Sequence, residues 1–267
     1  PQDPRLPGLQ LATDLGSLTA MWPQLFNGVP SVSLEMKTYR PLRRAVIKAS
    51  SADKNWGLYF KVLTRKRVER LAKVHRIMEQ SPVPTAKMLQ QPMAGIVALE
   101  QLHGKPLTEY LFRHPSEQIL DGLTGTFWTD MLQGLPEELT QLPKRSSWTD
   151  GLHSYAKAAA TALPNKAERI RNLHRHIKKE LPKADPGPVV ATHGDFYEAN
   201  VYLTHDADTG YALSGLLDLD TMGPGHMVDD LACMLGHLAI LPTVHPGYAS
   251  TQQIRRAWEK DFEQVVN

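Results

Sequence analysis

Hydrophobic and polar positions divide the chain into a strand-rich first part and a helix-rich remainder. Residues 1–30 are Pro-rich with short helical fragments. Three β-rich runs separated by polar turns then predict an antiparallel meander. These runs are 31–39, 45–49 and 58–63. Apolar residues at helical spacing predict a helix over 65–80, and two short apolar runs, 86–89 and 95–99, are expected to add strands.

Beyond the polar segment His-Gly-Lys-Pro the periodicity becomes helical. From residue 106 to about 183, apolar positions recur at helical spacing, with breaks at prolines and glycines. Short apolar runs around polar loops predict further strands at 189–191, 201–203 and 213–217, and the last predicted helix covers 251–266. We therefore predict an α+β protein with a small antiparallel-sheet N-lobe, 1–102, and a larger, mainly helical C-lobe, 103–267.

Composition narrows the classes of function. The chain has 267 residues, a net charge of +2 and 22% charged residues, a balance too mild to indicate nucleic-acid binding. The single cysteine, Cys233, excludes an internal disulfide and a Cys-based zinc site, and it fits a reducing compartment. No apolar stretch approaches the length of a membrane span, and the first ten residues do not resemble a signal peptide. We expect a cytoplasmic protein with no membrane and no nucleic-acid partner.

Two polar motifs carry the candidate chemistry. The first, ATHGDFYEAN, spaces His193, Asp195 and Asn200 as in the kinase loop pattern H-x-D-x-x-x-x-N, with Gly194 in the Arg position. The second, LSGLLDLDTMGPGHMVDDLA, delivers Asp218 at the end of an apolar run. Phosphoryl transfer needs a carboxylate to orient or deprotonate the attacking hydroxyl, and oxygen ligands for Mg²⁺. Asp195 is therefore the candidate base, with Asn200 and Asp218 as candidate ligands.

Together these motifs resemble the aminoglycoside phosphotransferase and choline kinase superfamily of small-molecule kinases, relatives of the protein kinases. In the N-terminal part, LYFKVL resembles the strand that carries the ATP-binding lysine. VPTAKML and IVALEQLHGKPL resemble the strand, the hinge and the glycine after the hinge. The likeness covers about residues 31–235 and implies a bilobal protein-kinase-like fold.

The resemblance implies roles by position, ATP and Mg²⁺ as cofactors, and a small-molecule acceptor with a hydroxyl group. The acceptor would be an amino sugar, an aminoglycoside, a sugar or an amino alcohol. The implied roles are Asp195 as catalytic base, His193 as support for the loop backbone, Asn200 and Asp218 as Mg²⁺ ligands, Lys61 at the ATP phosphates, and the backbone of Glu100, Gln101 and Leu102 at the adenine. Asp230 is expected to cap the helix that follows.

The sequence departs from this pattern in the N-terminal part. No Gly-rich loop is present, and Arg40, Arg43 and Arg44 stand at the strand turn instead. We expect these arginines to be solvated, with phosphate contact as the alternative. Glu69 is the natural partner for Lys61 on the following helix. It comes sooner after the lysine in the sequence than the corresponding glutamate of the family usually does. Lys48 in AVIK also matches the V-A-I-K motif that carries the ATP-binding lysine of protein kinases. We prefer Lys61, because the predicted helix directly follows the strand that contains Lys61.

Two other functions remain open. A degenerate kinase-like nucleotide-binding protein fits the missing Gly-rich loop. A haloacid dehalogenase-type phosphatase fits LLDLDTM, although only about fifty residues follow Asp218, too few for its Rossmann-like domain. We predict an ATP- and Mg²⁺-dependent phosphotransferase. Candidates for acceptor contacts rest on location alone, and they are Trp148, Tyr155, Trp258, Glu259, Asp261 and Glu263.

Overall fold

The computed structural model describes residues 3–144 and 146–266. The described residues form two compact units. The first contains the chain up to Leu107 together with Ala199–Asp220, and the second contains Thr108–Glu198 and the chain from Thr221 onward.

Apart from the run 86–89, the predicted strands and helices form in the predicted order. The strands are β1 (Ser33–Arg40), β2 (Arg44–Ser50), β3 (Gly57–Leu63), β4 (Ile96–Glu100), β5 (Lys105–Pro106), β6 (Val190–Thr192), β7 (Val201–Asp206), β8 (Gly210–Leu216) and β9 (Gly223–Gly225). The helices are α1 (Leu9–Ala12), α2 (Leu15–Met21), α3 (Pro23–Phe26), α4 (Arg65–Met78), α5 (Leu107–Leu111), α6 (Ser116–Gly122), α7 (Gly125–Gln133), α8 (Leu152–Ala162), α9 (Ala167–Glu180), α10 (Met227–Val244) and α11 (Thr251–Val266).

The first unit contains the predicted meander as a four-stranded antiparallel sheet in the order β1-β2-β3-β4. A strand predicted at 86–89 does not form; Met88 makes only an isolated bridge to Leu99. The run is held to β4 by two backbone hydrogen bonds, from Leu89 to Ala98 and from Glu100 to Lys87, and this ladder is too short to form a strand. A second sheet joins β5, β7 and β8, so Ala199–Asp220 packs with the N-terminal residues.

Aromatic side chains from the N-terminal segment pack against the first sheet. The short helices α1 to α3 supply Trp22, whose ring stacks on Phe60 of β3 at 5.9 Å, and Phe26, whose ring lies 6.1 Å from the same phenylalanine. α4 follows β3 directly and buries the apolar stripe that predicted it, including Leu71, Val74 and Met78. Burial of these side chains holds β3 rigidly in the middle of the unit.

α4 also buries a histidine, which predicts a pH dependence of stability. His75 is 4% exposed, and burial, with a contribution from the charge of Lys61, lowers its pKa to about 4. The unfolded chain takes up a proton near pH 6.5, so stability is lost as the pH falls from there towards 4. Between pH 7 and pH 5 we expect the free energy of unfolding to drop by about 2 kcal/mol from this residue.

Urea unfolding of the wild type and of His75→Gln at several pH values measures this effect. The variant should lack the additional loss in this pH range, because glutamine does not titrate. Parallel pH curves for the two proteins would contradict the prediction.

The second unit is mainly helical, with β6 and β9 paired antiparallel. Its longest helix, α10, is long and apolar enough to cross a membrane by length and composition, with a mean hydropathy of 1.4. The expectation that no apolar stretch approaches this length is therefore wrong. The same helix carries Asp229, Asp230 and the buried Leu231, Met234 and Leu238, and it packs against α11. Of this span, 28% is buried, and Asp230 is among the buried residues.

Candidate active site

Lys61 lies in the middle of the first sheet and contacts two aspartates of the same unit. β3 places it between Val46 of β2 and Val97 of β4, and only 8% of its side chain is exposed. Its Nζ donates a hydrogen bond to Oδ1 of Asp218 over 2.6 Å. It also donates to the carboxylate of Asp220. Such partners are required here, because an unpaired ammonium group is strongly disfavoured in the interior.

Asp218 follows β8 in a left-handed backbone conformation, with a φ of 57°. This conformation costs about 1–2 kcal/mol for a residue other than glycine, although aspartate tolerates it better than most. The N–H of Leu217 donates to the carbonyl of Asn200 over 2.9 Å, and Asn200 is buried. The two candidate metal ligands are therefore held on neighbouring strand ends of one unit.

The two aspartates around Lys61 differ electrostatically. Burial alone would raise the pKa of Asp218, but the charges of Lys61 and Arg44 and hydrogen bonds hold it well below its usual range. Burial raises the pKa of Asp220, and the adjacent Asp218 carboxylate adds to this rise against the lowering effect of Lys61. Asp218 is the carboxylate that stays ionised, which suits a cation-binding group.

Arg44 corrects the expectation that the arginines of the first turn are all solvated. Its Nη1 donates to Oδ2 of Asp218 over 2.9 Å and to Oδ1 over 3.2 Å. Its side chain is 22% exposed, whereas Arg40 and Arg43 are exposed. Because the partner lies 174 residues along the chain, no local pattern could indicate this contact.

Two alternatives considered for the lysine pair lie elsewhere. Glu69 is exposed on α4 and accepts a hydrogen bond from Nε of Arg65 over 3.1 Å, so it is not the partner of Lys61. Lys48 extends over the ring of Tyr59, 5.7 Å from its centroid. In this chain, aspartates that follow β8 provide the carboxylates that contact Lys61.

The predicted hinge follows β4. The N–H of Glu100 donates to the carbonyl of Lys87 over 3.0 Å, and its Oε1 accepts from the N–H of Lys87 over 2.9 Å. Gln101 comes next, and Leu102 is buried against Gly215, where an added Cβ would lie 2.8 Å from the leucine. Among the described residues, no backbone hydrogen bond engages the amide or carbonyl of Leu102. The amide and the carbonyl of Leu102 can therefore accept further hydrogen-bond partners.

In the second unit, the candidate catalytic loop follows β6, and hydrogen bonds fix the backbone at its start. Thr221 Oγ1 donates to the carbonyl of His193 over 2.8 Å. The buried His193 ring accepts the N–H of Asp195 at Nδ1 over 3.3 Å. Gly194 has a φ of 77°, and an added Cβ would lie 2.8 Å from the carbonyl oxygen of Thr221. The turn before Asp195 therefore requires glycine.

Asp230 holds the same turn and does not cap its own helix. α10 has His226 at its N-cap and no side-chain cap hydrogen bond. The Asp230 carboxylate, which is 1% exposed, accepts the N–H groups of His193 over 2.7 Å and of Gly194 over 2.8 Å. Burial raises its pKa to about 7, although the two N–H donors oppose the rise. The capping expectation is wrong because these tertiary partners engage the carboxylate.

Phe196 anchors the middle of the loop in the core of the second unit. It is fully buried, and its ring lies 6.0 Å from that of Trp128, which is 5.1 Å from that of Trp258. Because Phe196 follows Asp195 directly, core packing limits the positions that the Asp195 side chain can take.

Two of the residues suggested for acceptor contacts are structural. Trp258 is buried and donates from Nε1 to the carbonyl of Leu123 over 2.6 Å. Asp261 accepts the N–H of Gly125, the first residue of α7, over 2.8 Å. The location of these two residues near the C-terminus gave no indication of their burial.

Tyr197 and Glu198, which as polar loop residues are expected to face solvent, with the acceptor as the alternative, form a cluster with α10 at the end of the loop. Glu198 is buried, and its Oε2 lies 3.6 Å from Nδ1 of His237 on α10. The ring of Tyr197 packs on the His237 ring at 4.1 Å. The adjacent Glu198 carboxylate raises the pKa of His237 against the effect of burial, and the charge of Asp195 adds to the rise. These contacts tie the end of the loop to α10.

We expect NMR titration to give His237 a pKa above the ordinary histidine value of about 6.5. The ion pair then stabilises the fold at pH values below the unfolded pKa, and this contribution is lost as the pH rises through the folded pKa. Glu198→Gln should lower the pKa of His237, whereas Glu259→Gln on α11 should leave it unchanged. Equal pKa values in the wild type and Glu198→Gln would contradict this assignment of the cause.

Comparison with known sequences identifies the family. A sequence model of the phosphotransferase enzyme family (APH) matches residues 61–261. The chain belongs to this phosphotransferase enzyme family. The matched residues of this APH chain include Lys61, the loop from His193 to Asn200, and Asp218. The predicted family resemblance and the phosphotransferase class are confirmed. No protein of curated function matches the sequence.

Solved structures of one aminoglycoside phosphotransferase agree with this chain in fold at low sequence identity. Aminoglycoside phosphotransferase APH(4)-Ia is 14% identical, with a TM-score of 0.52 over 90% of this chain and 87% of that one. A thermostable mutant of it, in complex with AMP-PNP and hygromycin B, is 14% identical over the same shares with a TM-score of 0.50. A Plasmodium vivax ethanolamine kinase is 15% identical with a TM-score of 0.44; the match covers 77% of this chain and 60% of that kinase. The predicted α+β, protein-kinase-like fold class is confirmed.

Proposed function

We propose that this APH family member transfers the γ-phosphoryl group of ATP to a hydroxyl group of a small molecule, with Mg²⁺. The observation that carries the proposal is the contact between the buried Lys61 and the partly buried Asp218. These residues lie 157 positions apart, and the family pattern gives them the phosphate and metal roles. Their 2.6 Å hydrogen bond supports a common role in one nucleotide-binding region.

The donor atoms in the first unit fit a magnesium–nucleotide complex. Mg²⁺ prefers a few protein oxygens completed by phosphate oxygens and water. Asp218 would supply a charged oxygen and Asn200 a neutral one, from strand ends joined by the bond between Leu217 and Asn200. The bound ion would neutralise charge on the phosphates. Lys61 would bind phosphate oxygens, and the backbone from Glu100 to Leu102 would receive the adenine, where the amide and carbonyl of Leu102 remain available.

Asp195 would act as the base. In this proposal its carboxylate accepts the proton of the acceptor hydroxyl group. The hydroxyl oxygen forms a bond to the γ-phosphorus, and the bond between that phosphorus and the oxygen bridging to the β-phosphate breaks, which releases ADP. His193 and Asp230 would hold the loop backbone in the required conformation through the bonds to Asp195, His193 and Gly194. The proposal keeps the predicted acceptors: an amino sugar, an aminoglycoside, a sugar or an amino alcohol. The complex of the APH(4)-Ia mutant with AMP-PNP and hygromycin B supports a small-molecule acceptor. We also propose a cytoplasmic location, which the single cysteine supports.

An ATP-consumption assay with Mg²⁺ against these four acceptor classes tests the proposal, together with calorimetry of AMP-PNP binding. Turnover with one class is the expected result. Nucleotide binding without turnover across a broadened panel of acceptors would favour the degenerate kinase-like alternative. Phosphate release from a monoester without ATP would favour the phosphatase alternative, and absence of nucleotide binding would overturn the kinase proposal.

A further inference from the structure

We propose that the Arg44 side chain binds the nucleotide phosphates, in the role that a glycine-rich turn has in protein kinases. This inference rests on the proposed function. Protein kinases cover the phosphates with a Gly-rich loop between their first two strands. The corresponding turn of this chain, between β1 and β2, reads Pro41-Leu42-Arg43 and contains no glycine.

The backbone of this turn is already occupied by contacts within the first unit. Pro41 has no N–H group, and the N–H of Leu42 donates to Oδ2 of Asp3 over 2.8 Å. The N–H of Arg43 donates to the carbonyl of Arg40 over 3.0 Å. Tyr39 also donates to Oδ2 of Asp3 over 3.0 Å and holds that carboxylate beside the turn. A phosphate would therefore find these amides engaged and a negative charge next to them.

Arg44 is the first residue after the turn. Its side chain points to the aspartates beside Lys61, which belong to the proposed nucleotide-binding region of the same unit. Its Nη1 lies 2.9 Å from Oδ2 of Asp218, the carboxylate that also contacts Lys61, and 3.8 Å from Oδ2 of Asp220. The Arg44 side chain is 22% exposed and that of Lys61 is 8% exposed. The guanidinium is thus placed beside the buried lysine and remains accessible from solvent.

The guanidinium chemistry matches a polyphosphate. Arg44 carries a permanent charge and paired N–H donors, which bind carboxylate and phosphate oxygens in the same bidentate geometry. In the structure, Arg44 and Lys61 are balanced by the carboxylates of Asp218 and Asp220. Arg44 can exchange the oxygens of Asp218 for those of a phosphate without losing a charged partner. The β1–β2 turn would then contribute a side chain where other kinases contribute main-chain amides.

Binding of AMP-PNP and of adenosine to Arg44→Gln, measured by calorimetry with Mg²⁺ and with EDTA, tests this inference. Charge-assisted hydrogen bonds of this type predict about 10- to 100-fold weaker AMP-PNP binding. Adenosine binding should not change, because adenosine has no phosphate. Arg43→Gln, an exposed neighbour, is the matched control and should bind both ligands like the wild type. The loss should persist in EDTA if the arginine acts on phosphate directly and not through a metal at Asp218.

The outcomes separate this inference from the proposed function. Wild-type affinity of Arg44→Gln for AMP-PNP would overturn the role of Arg44 and leave the kinase proposal standing. An equal loss of AMP-PNP and adenosine binding would also overturn it, since the defect would not be specific to phosphate. Arg44→Lys, which keeps the charge without the bidentate donors, should lose part of the affinity. A wild-type protein that binds no nucleotide would overturn both proposals.

Discussion

Asp195→Asn is expected to abolish phosphoryl transfer while nucleotide binding is retained. Asparagine matches aspartate in size but cannot accept the hydroxyl proton, and loss of a general base typically costs about 10²- to 10⁴-fold in rate. The loop should keep its conformation, because Asp230, Thr221 and the buried Phe196 hold it. The measurements are kcat at saturating acceptor and the Kd for AMP-PNP.

Asp208→Asn, in the exposed turn between β7 and β8, is a suitable control and should not change either value. Turnover at the wild-type rate in Asp195→Asn would remove Asp195 from the role of base. Loss of AMP-PNP binding in the same variant would indicate a damaged fold, and Asp195→Glu, which retains the carboxylate, would then be compared for partial activity. No recovery of activity or binding in that variant would contradict a role limited to proton transfer.

Asp230→Asn is expected to lower the free energy of unfolding by about 2–3 kcal/mol. The wild-type carboxylate accepts two backbone N–H groups at 2.7 and 2.8 Å. An asparagine offers one oxygen and turns an NH₂ group towards the other donor, so one buried N–H loses its acceptor. Relief of the cost of burying a charge offsets part of this loss. Activity should fall as well, because the same two bonds fix the turn before Asp195.

Urea unfolding measures the stability of Asp230→Asn. Asp229→Asn, the adjacent half-buried residue on α10, is the matched control and should remain within about 0.5 kcal/mol of the wild type. An unfolding midpoint for Asp230→Asn equal to that of the wild type would show that the two N–H bonds contribute no net stability.

Local patterns predicted the parts of the fold that depend on local chemistry. The apolar stripe of α4 and the apolar, β-rich composition of β2 and β3 are properties of short segments, and these elements formed close to the expected positions. The helix expected over 251–266 matches α11. The spacing of Lys61 and Asp218 in their motifs indicated two residues that the structure brings into contact. β5 was missed, because two residues, one of them Pro106, carry no periodicity.

The failures concern partners that are distant in sequence. A carboxylate in the first turn of a helix usually caps or stabilises that helix, yet the N–H groups bound by Asp230 lie 36 and 37 residues away. An arginine at a strand turn is usually solvated, yet the partner of Arg44 lies 174 residues away in the sequence. Glu69 has helical spacing but lies on the exposed side of α4. The partners of these side chains depend on tertiary contacts, and local patterns in a single sequence do not indicate such contacts.

The way α10 holds the loop limits how this protein can be recombined with its relatives. Asp230 binds the start of the loop and His237 lies beside its end, and these residues are seven positions apart on one helix. Seven residues of helix span about 10 Å and nearly two full turns, so both side chains point to the same side. A single-residue insertion between them would rotate one anchor by about 100°. A chimaera in which the catalytic loop comes from a relative should therefore also take the helix equivalent to α10 from that relative.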